Sequence, residues 1–318
     1  MRVRFWRRHR VNEAFELVTL RGGGRGIRSL RYGEICHPGV GPREEAEAVY
    51  VEALSLRRRW LDRGGVGEPF VIWDVGLGGA ANAMAVMQAA GETGVRLRVI
   101  SFDWNLEPLR YAVRHAAELG YFGGLERECR AFCEQGRFGF DHGKARIEWE
   151  FKGGDFTERV KGWATEIGRG GHPVELGKPT AVLYDPHSPA ANPEMWTLPH
   201  FSNVRACLDV SAGCGLATYS RSTSVRVSLL LAGFWVGAGL GTATKEETTV
   251  AGTGLEWVGQ PLGARWLERA RRSRAADPWI QAPFGGRPLS EENWRKLNDC
   301  AQFGSKPGVQ KPGASHGG

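Results

Sequence analysis

The chain has 318 residues, enough to bury the core of one large α/β domain with extensions at its ends. Its composition, 42% hydrophobic and 24% charged, is typical of a globular protein and unlike that of a membrane or disordered chain. The net charge of +7 is compatible with an anionic partner such as RNA, and equally with solubility alone.

The sequence indicates neither a targeting segment nor a metal site. Its start, MRVRFWRRHRVNE, is positively charged but lacks the apolar core of a signal peptide. The longest apolar stretch, 228–241, is short and interrupted by glycine, unlike a membrane span. The six cysteines form no CxxC pair and show no metal-ligand spacing with histidine. We therefore expect a cytoplasmic protein with reduced thiols, no metal and no membrane span.

The first third of the chain begins with a basic extension. Residues 1–31 are rich in arginine and glycine, which predicts either a flexible arm that contacts RNA or a solvated tail. A loop is expected at 32–42. Residues 43–63 show the apolar spacing of an amphipathic helix, which the glycines at 64 and 65 end.

A buried strand, a glycine turn and a helix are predicted next. Residues 70–75 (FVIWDV) are apolar and partly β-branched, as in a strand buried on both faces. Glycines at 76, 78 and 79 interrupt this run, and helix-forming residues follow at 80–90. This order brings backbone N–H groups close to a ligand and favours a nucleotide-type cofactor. The alternative is a tight turn that binds nothing.

The following strand favours the cofactor. Residues 97–102 (LRVISF) end at Asp103, and an acid in this place can accept hydrogen bonds from both hydroxyls of a ribose. Ala81 replaces the last glycine of a dinucleotide motif, which argues against a pyrophosphate at this turn. The combination favours S-adenosyl-L-methionine, which has no phosphate, and Asp74 before the glycines fits the same pattern.

Helices and strands alternate through most of the remaining chain. We expect helices at 107–119, 157–167, from about 193 toward 207 and at 224–231, and strands at 145–151, 180–184, 215–220 and in a closing antiparallel pair within 234–252. This predicts an α/β fold with a Rossmann-like, doubly wound methyltransferase sheet, mostly parallel with a closing antiparallel strand. Two further helices are expected within 263–276 and 290–300, before a tail that is disordered by composition.

Two further acids mark the predicted site. Asp155 precedes a helix, where it can reach the adenine of the cofactor or simply cap the helix. Asp185 ends a buried strand and precedes a proline-rich loop that carries Asn192 and Trp196. A carboxylate there can orient an acceptor amine and help to deprotonate it for methyl transfer. The alternative for Asp185 is a turn-forming Asp-Pro pair.

The block DPHSPAANPEMWT resembles the DxFSPxKNPEMWT motif of the methyltransferase domain of the tRNA 5-methylaminomethyl-2-thiouridine biosynthesis proteins, the MnmC-like family. Four further segments resemble motifs of that family in the same order: HPGVGPREEAEAVYVE, DVGLGGAANAM, SFDWNLEPL and LATYSRSTSVRVSLLLAGFWVG. The resemblance covers about residues 32–252.

The resemblance implies an S-adenosyl-L-methionine-dependent N-methyltransferase that acts on the 5-aminomethyl group of the wobble uridine of tRNA. It implies a stand-alone methyltransferase domain at 32–253, flanked by a basic extension at 1–31 and a Trp- and Arg-rich extension at 254–318. A separate flavin-dependent enzyme would supply the aminomethyl substrate. Asp185 is then the catalytic residue, and the cofactor-binding residues, together with Asp74, are Glu45, Tyr50, Gly76, Gly78, Asn82, Asp103 and Asp155.

Two departures from the family pattern concern the substrate. The family's aromatic residue after the catalytic acid and its lysine in SPxKNP are His187 and Ala191 here. Its late basic cluster is reduced to Lys245, followed by two glutamates. An enzyme that methylates another amine and a catalytically degenerate RNA-binding relative are therefore the alternatives.

The substrate contacts follow from the tRNA interpretation. We expect His187 or Trp196 to stack on a flipped uracil, with Asn192 as a hydrogen-bonding neighbour. Arginines such as Arg226, with Lys245, are expected to bind the RNA backbone, so that binding weakens with salt.

Overall fold

The computed structural model describes residues 15–36, 41–63, 67–174, 177–209, 211–242, 246–281 and 285–304. Within these ranges the strands, in chain order, are β1 (Phe15–Thr19), β2 (Arg25–Ser29), β3 (Phe70–Val75), β4 (Arg96–Asp103), β5 (Arg137–His142), β6 (Ala145–Gly153), β7 (Ala181–Tyr184), β8 (Gly215–Thr218), β9 (Trp235–Gly239) and β10 (Thr248–Gly252). β1 and β2 form a hairpin, and the others form one sheet in the order β5-β6-β4-β3-β7-β8-β10-β9.

The central strands of the sheet are parallel. β6, β4, β3, β7 and β8 run in one direction, and β5, β10 and β9 pair antiparallel at the two sides. The predicted doubly wound, mostly parallel sheet with a closing antiparallel pair is therefore confirmed. β5 was not predicted, because its six residues carry only two apolar side chains between polar ones.

Helices cover both faces of the sheet. In chain order the α-helices within the described ranges are α1 (Pro42–Ala46), α2 (Leu56–Arg63), α3 (Ala81–Gly91), α4 (Glu107–Arg114), α5 (Ala116–Leu119), α6 (Glu126–Gln135), α7 (Phe156–Gly168), α8 (Leu198–Cys207), α9 (Thr223–Leu231), α10 (Ala264–Arg272) and α11 (Glu291–Asp299). A π-helix, Glu47–Glu52, follows α1. None of the helices in the described ranges has the length and apolar character that a membrane span requires.

β3 shows why this sheet needs two apolar layers. All six of its residues are buried. Because side chains alternate along a strand, Phe70 and Ile72 join the core on one face, while Val71, Trp73 and Val75 join the core on the other. A strand buried in this way has no exposed face, which explains why all of its residues except Asp74 are apolar.

The long helix predicted at 43–63 is interrupted. α1 passes into the π-helix, and α2 begins after Ser55, whose φ of 51° lies in the left-handed region. Leu54 and Leu56 are both fully buried. Residues two apart lie on different faces of a continuous helix, so the break allows both leucines to reach the core.

The N-terminal region contains a folded hairpin. β1 and β2 pair from Phe15 with Ser29 to Thr19 with Arg25, and Ile27 is buried in the main core. The Cδ1 atom of Ile27 lies 3.2 Å from the position that a Cβ on Gly79 would occupy. The expectation of a flexible arm or a solvated tail is therefore wrong for residues 15–29, and residues 1–14 lie outside the described ranges.

The C-terminal helices pack on the same core as the sheet. Trp266 of α10 and Leu297 of α11 belong to one apolar cluster with β3, β7 and β8. The side chain of Gln302 hydrogen-bonds to Val236 N at 2.8 Å and to Val236 O at 2.7 Å. Residues on both sides of residue 254 thus share one core, and the division into a domain and two extensions, which the resemblance implied, stays a prediction. The expected disordered tail lies outside the described ranges, apart from its first residue.

His200 on α8 is buried without a polar partner. Its side chain is packed among Phe156, Tyr184 and Phe201, and neither ring nitrogen has a hydrogen-bond partner among the described residues. Burial lowers the pKa of His200 to about 4, although the carboxylate of Asp155 acts in the opposite direction. His200 is therefore neutral in the folded protein at physiological pH.

Replacement of His200 should change how stability depends on pH. In the wild type, His200 becomes protonated below pH ~6.5 in the unfolded chain but only below pH ~4 in the folded chain. The free energy of unfolding should therefore fall by about 2 kcal/mol between pH 7 and pH 5. His200→Leu should remove this contribution, as measured by urea denaturation at the two pH values. His172→Gln, at an exposed position, is the control, and an unchanged pH dependence in His200→Leu would contradict the prediction.

Candidate active site

Three carboxylates lie at one edge of the sheet. Asp74, Asp103 and Asp185 stand at or next to the C-terminal ends of β3, β4 and β7, which are neighbours in the sheet. In an open α/β sheet this edge is where ligands bind. Asp74 is fully buried and accepts a hydrogen bond from the Ser101 hydroxyl at 2.7 Å.

The glycine turn after β3 leaves open space beside these acids. The N–H group of Gly78 donates to Oδ2 of Asp103 at 2.9 Å. A Cβ at Gly78 would meet no atom closer than 4.0 Å. A Cβ at Gly76, where φ is 89°, would instead lie 2.4 Å from the carbonyl oxygen of Asp185. One glycine thus borders free space, and the other permits close backbone contact between the turn and the Asp185 loop.

Asn82 orients the Asp185 carboxylate. It lies in the first turn of α3 with 3% of its surface exposed, and its Nδ2 donates to Oδ2 of Asp185 at 2.6 Å. The backbone N–H of Asp185 donates to Val75 O at 2.9 Å. Oδ1 of Asn82 is buried and has no hydrogen-bond partner among the described residues. A buried acceptor of this kind is expected to be satisfied by a ligand.

Tyr50 extends the site from the π-helix. Its hydroxyl is buried, with no hydrogen bond of normal geometry to any described residue. Burial, and then the negative charge of Asp185, raises the pKa of Tyr50 well above its ordinary value, so the phenol stays protonated and keeps its O–H group as a hydrogen-bond donor. Glu45, one turn earlier, is 9% exposed.

Asp155 caps α7 in the structure. Its Oδ1 accepts hydrogen bonds from Thr157 N at 2.8 Å, from the Thr157 hydroxyl at 2.6 Å and from Glu158 N at 3.4 Å. The helix-capping alternative is thus observed, and contact of Asp155 with adenine stays a prediction.

The structure contradicts the expected stacking of Trp196 on a base. Its side chain is fully buried, and its ring packs edge-on against Tyr184 and Tyr219 at centroid distances of 5.6 and 5.7 Å. Its Nε1 donates to His187 O at 2.9 Å. Trp196 thus packs beneath the loop that follows Asp185 and bonds to its backbone, while His187 and Asn192 of that loop are half-buried.

The structure also contradicts phosphate binding by Arg226. The side chain is 1% exposed, and it donates from Nε to the Thr249 hydroxyl, from Nη1 to Glu247 and from Nη2 to Thr248 O. These contacts attach α9 to β10 and leave no exposed face for an RNA backbone. Lys245 lies outside the described residues.

Glu34 is a site residue that the sequence did not indicate. Its carboxylate accepts a hydrogen bond from Ser188 N at 3.0 Å and another from the Ser188 hydroxyl, and it lies 3.2 Å from Nδ1 of His187. Glu34 lies 153 positions before His187 in a segment predicted as a loop, so no local pattern signals this contact.

The arrangement suits a positively charged, nucleoside-bearing ligand. Three carboxylates from adjacent strands favour a sulfonium and an ammonium group, and one of these acids is held against the glycine turn as a ribose-binding acid would be. The open space at Gly78 and the unpaired Oδ1 of Asn82 can receive such a ligand. No cluster of three metal-ligating side chains occurs in the part of the chain that the structure describes. The three carboxylates, the open space at Gly78 and the unpaired acceptor of Asn82 fit S-adenosyl-L-methionine.

Comparisons with known proteins agree with this class. A family model described as S-adenosyl-L-methionine-dependent methyltransferase matches residues 142–253. The chain is an S-adenosyl-L-methionine-dependent methyltransferase, with S-adenosyl-L-methionine as its cofactor.

Sequence and structure comparisons relate the chain to one group of proteins within this class. The bifunctional MnmC proteins of tRNA 5-methylaminomethyl-2-thiouridine biosynthesis from Aeromonas hydrophila and Burkholderia multivorans are 29% and 26% identical, over 69% and 65% of this chain. The chain spans about a third of their length, 32% and 30% respectively. The solved structure of MNMC2 from Aquifex aeolicus has the same fold, with a TM-score of 0.56 and 24% identity over 90% of this chain and 76% of that chain. The chain is thus a methyltransferase that resembles the MnmC proteins in sequence and MNMC2 in fold.

Replacement of Gly76 by alanine should mainly lower stability, whereas replacement of Gly78 should mainly lower cofactor affinity. Gly76→Ala should cost at least about 2 kcal/mol of unfolding free energy, because a Cβ there collides with the Asp185 backbone. Gly78→Ala should cost about 1 kcal/mol, but its methyl group enters the open space and should weaken cofactor binding. Urea denaturation and calorimetry with S-adenosylhomocysteine measure the two effects. Wild-type affinity in Gly78→Ala would show that the cofactor lies elsewhere.

Proposed function

We propose that this enzyme transfers a methyl group to the nitrogen of the 5-aminomethyl group on the wobble uridine of tRNA. The observation that carries the proposal is the Asp185 carboxylate, held by Asn82 at 2.6 Å beside the glycine turn and followed by the DPHSPAANPEMWT block. The names of the relatives, which refer to tRNA 5-methylaminomethyl-2-thiouridine biosynthesis, support this acceptor.

The cofactor, when bound, supplies an electrophilic methyl group on a sulfonium centre. Asp103 and the N–H groups of the glycine turn are proposed to hold its ribose end. The full set of proposed cofactor-binding residues is Glu45, Tyr50, Asp74, Gly76, Gly78, Asn82, Asp103 and Asp155. Asp74 and Asp185 contribute the negative charge that favours the sulfonium.

Asp185 has two linked tasks toward the acceptor. An alkylamine is mostly protonated at neutral pH and must be neutral to attack, so its proton has to leave. Asp185 accepts an N–H hydrogen bond that aims the nitrogen lone pair at the methyl group, and it takes the proton or passes it to water. Tyr50 and Tyr219 cannot replace it as a base, because burial raises the pKa of both hydroxyls.

Methylation of a different amine is the second candidate function. The burial of Arg226 and Trp196, and Ala191 in place of the family's lysine, remove contacts that the tRNA interpretation expected. A separate flavin-dependent enzyme as the source of the aminomethyl group belongs to the tRNA proposal alone. Mass spectrometry of tRNA nucleosides after incubation with labelled cofactor discriminates the candidates, since label in another molecule would favour a different amine.

Loss of Asp103 should weaken cofactor binding. Asp103→Ala removes the acceptor for the ribose hydroxyls and for Gly78 N, and the dissociation constant for S-adenosyl-L-methionine in calorimetry should rise at least about tenfold. Asp141→Ala, which removes an exposed acid from strand β5, is the matched control. Unchanged affinity in Asp103→Ala would refute the assignment.

Loss of Asp185 should abolish methyl transfer while the fold is kept. Asp185→Asn retains the shape of the side chain but cannot accept the proton, so kcat should fall by about 100-fold or more. Labelled 5-methylaminomethyluridine in digested tRNA is the measurement, and Glu194→Gln in the same loop is the control. Activity that persists in Asp185→Asn and in Asp185→Ala would exclude Asp185 as the catalytic residue.

A further inference from the structure

Two aromatic rings meet beside the Asp185 loop. Tyr32 follows the N-terminal hairpin, and His187 is the second residue after Asp185. Their ring centroids are 4.2 Å apart with an interplanar angle of 37°. Tyr32 is half-buried, and 31% of the His187 side chain is exposed. We call this pair the Tyr32–His187 shelf.

The shelf is held in place by neighbours on both sides. Glu34 contacts His187 at Nδ1 and accepts hydrogen bonds from Ser188 N and the Ser188 hydroxyl. The hydroxyl of Tyr219 donates to Pro186 O at 3.1 Å. Rings that are already fixed lose little conformational entropy when a ligand stacks on them. Glu34 is thus a positioning residue for the shelf.

The shelf is partly exposed, whereas the other aromatic side chain of this loop, Trp196, is not. Trp196 is fully buried and cannot offer a ring face to a ligand. The guanidinium of Arg31 lies over the Tyr32 ring, 5.3 Å from its centroid, and adds a positive charge to the shelf. An aromatic face beside a cation suits a nucleobase with its phosphate.

We propose that the Tyr32–His187 shelf stacks on the base that carries the acceptor amine. The proposal rests on the proposed function, and it names an RNA pyrimidine as the ligand. The Cα atoms of Asp185 and His187 are at most ~7 Å apart, since one residue separates them. A pyrimidine ring on the shelf can therefore extend a one-carbon amine arm to Asp185. The N-terminal segment supplies half of this binding surface.

The test compares two RNA hairpins that differ in one base. One carries 5-aminomethyl-2-thiouridine at the wobble position of an anticodon stem-loop, and the other has an abasic site there. Wild-type protein should bind the first at least about fivefold more tightly in fluorescence anisotropy, the factor that corresponds to about 1 kcal/mol of stacking. Tyr32→Ala should lower this ratio at least about twofold, because one of the two rings is lost while His187 and the amine contact of Asp185 remain. Tyr32→Phe, which keeps the ring, should preserve it.

The chain contains a matched control for the substitution. Tyr111 and His115 form a similar pair, with ring centroids 4.6 Å apart at 39°, and His115 Nδ1 lies 3.3 Å from a carboxylate oxygen of Glu118. This pair lies at the end of helix α4 and carries none of the proposed roles. Tyr111→Ala should leave the ratio of the two hairpin affinities unchanged.

The outcomes separate this proposal from the function on which it rests. A ratio near one in the wild type, or an equal ratio in Tyr32→Ala, overturns the shelf even if tRNA is methylated. A ratio that depends on Tyr32 supports the shelf even if no methyl group is transferred, which would count against the proposed function alone. Calorimetry with S-adenosylhomocysteine verifies the fold of each variant. If Tyr32→Ala fails that check, Tyr32→Leu, which keeps most of the bulk, replaces it with the same expectations.

Discussion

The backbone contact between Gly76 and Asp185 joins the two halves of the active site. Gly76 follows β3 and Asp185 follows β7, and a Cβ at Gly76 would lie 2.4 Å from the Asp185 carbonyl oxygen. The hydrogen bond from Asp185 N to Val75 O continues the parallel ladder of the two strands to this point. Asn82 adds a side-chain link to the same aspartate. The turn that is proposed to hold the cofactor and the proposed catalytic carboxylate are therefore joined directly, which favours a fixed distance between donor and acceptor.

Residues of the N-terminal hairpin and of the segment after it contact this site. Ile27 of the hairpin packs against the glycine turn, while Glu34 holds the loop after Asp185. A single short segment thus contacts both the cofactor side and the proposed substrate side. The basic character of residues 1–31 does not make this segment a separate arm, because its described part contributes buried side chains to the main core.

The candidate site is negatively charged, although the protein as a whole has a net positive charge. Asp74, Asp103 and Asp185 make the site negative, whereas the whole chain carries a net charge of +7. A negative site favours a cationic cofactor, and a net positive charge is compatible with a polyanionic partner. Not every arginine is available to such a partner, since Arg226 is buried against Glu247 and ties α9 to β10.

The sequence alone determined the order of most strands and helices, the glycine turn after β3 and the acids at the strand ends. These features arise from apolar periodicity and turn-forming residues, which are properties of short windows of chain. The tertiary structure decided which side chains are accessible and which distant residues meet. Trp196 and Arg226 appeared suited to bind RNA but are buried, and Glu34 appeared to lie in a loop but holds the loop beside Asp185. Burial and long-range contact depend on what packs against a residue from elsewhere in the chain, and a local pattern contains no information about that partner.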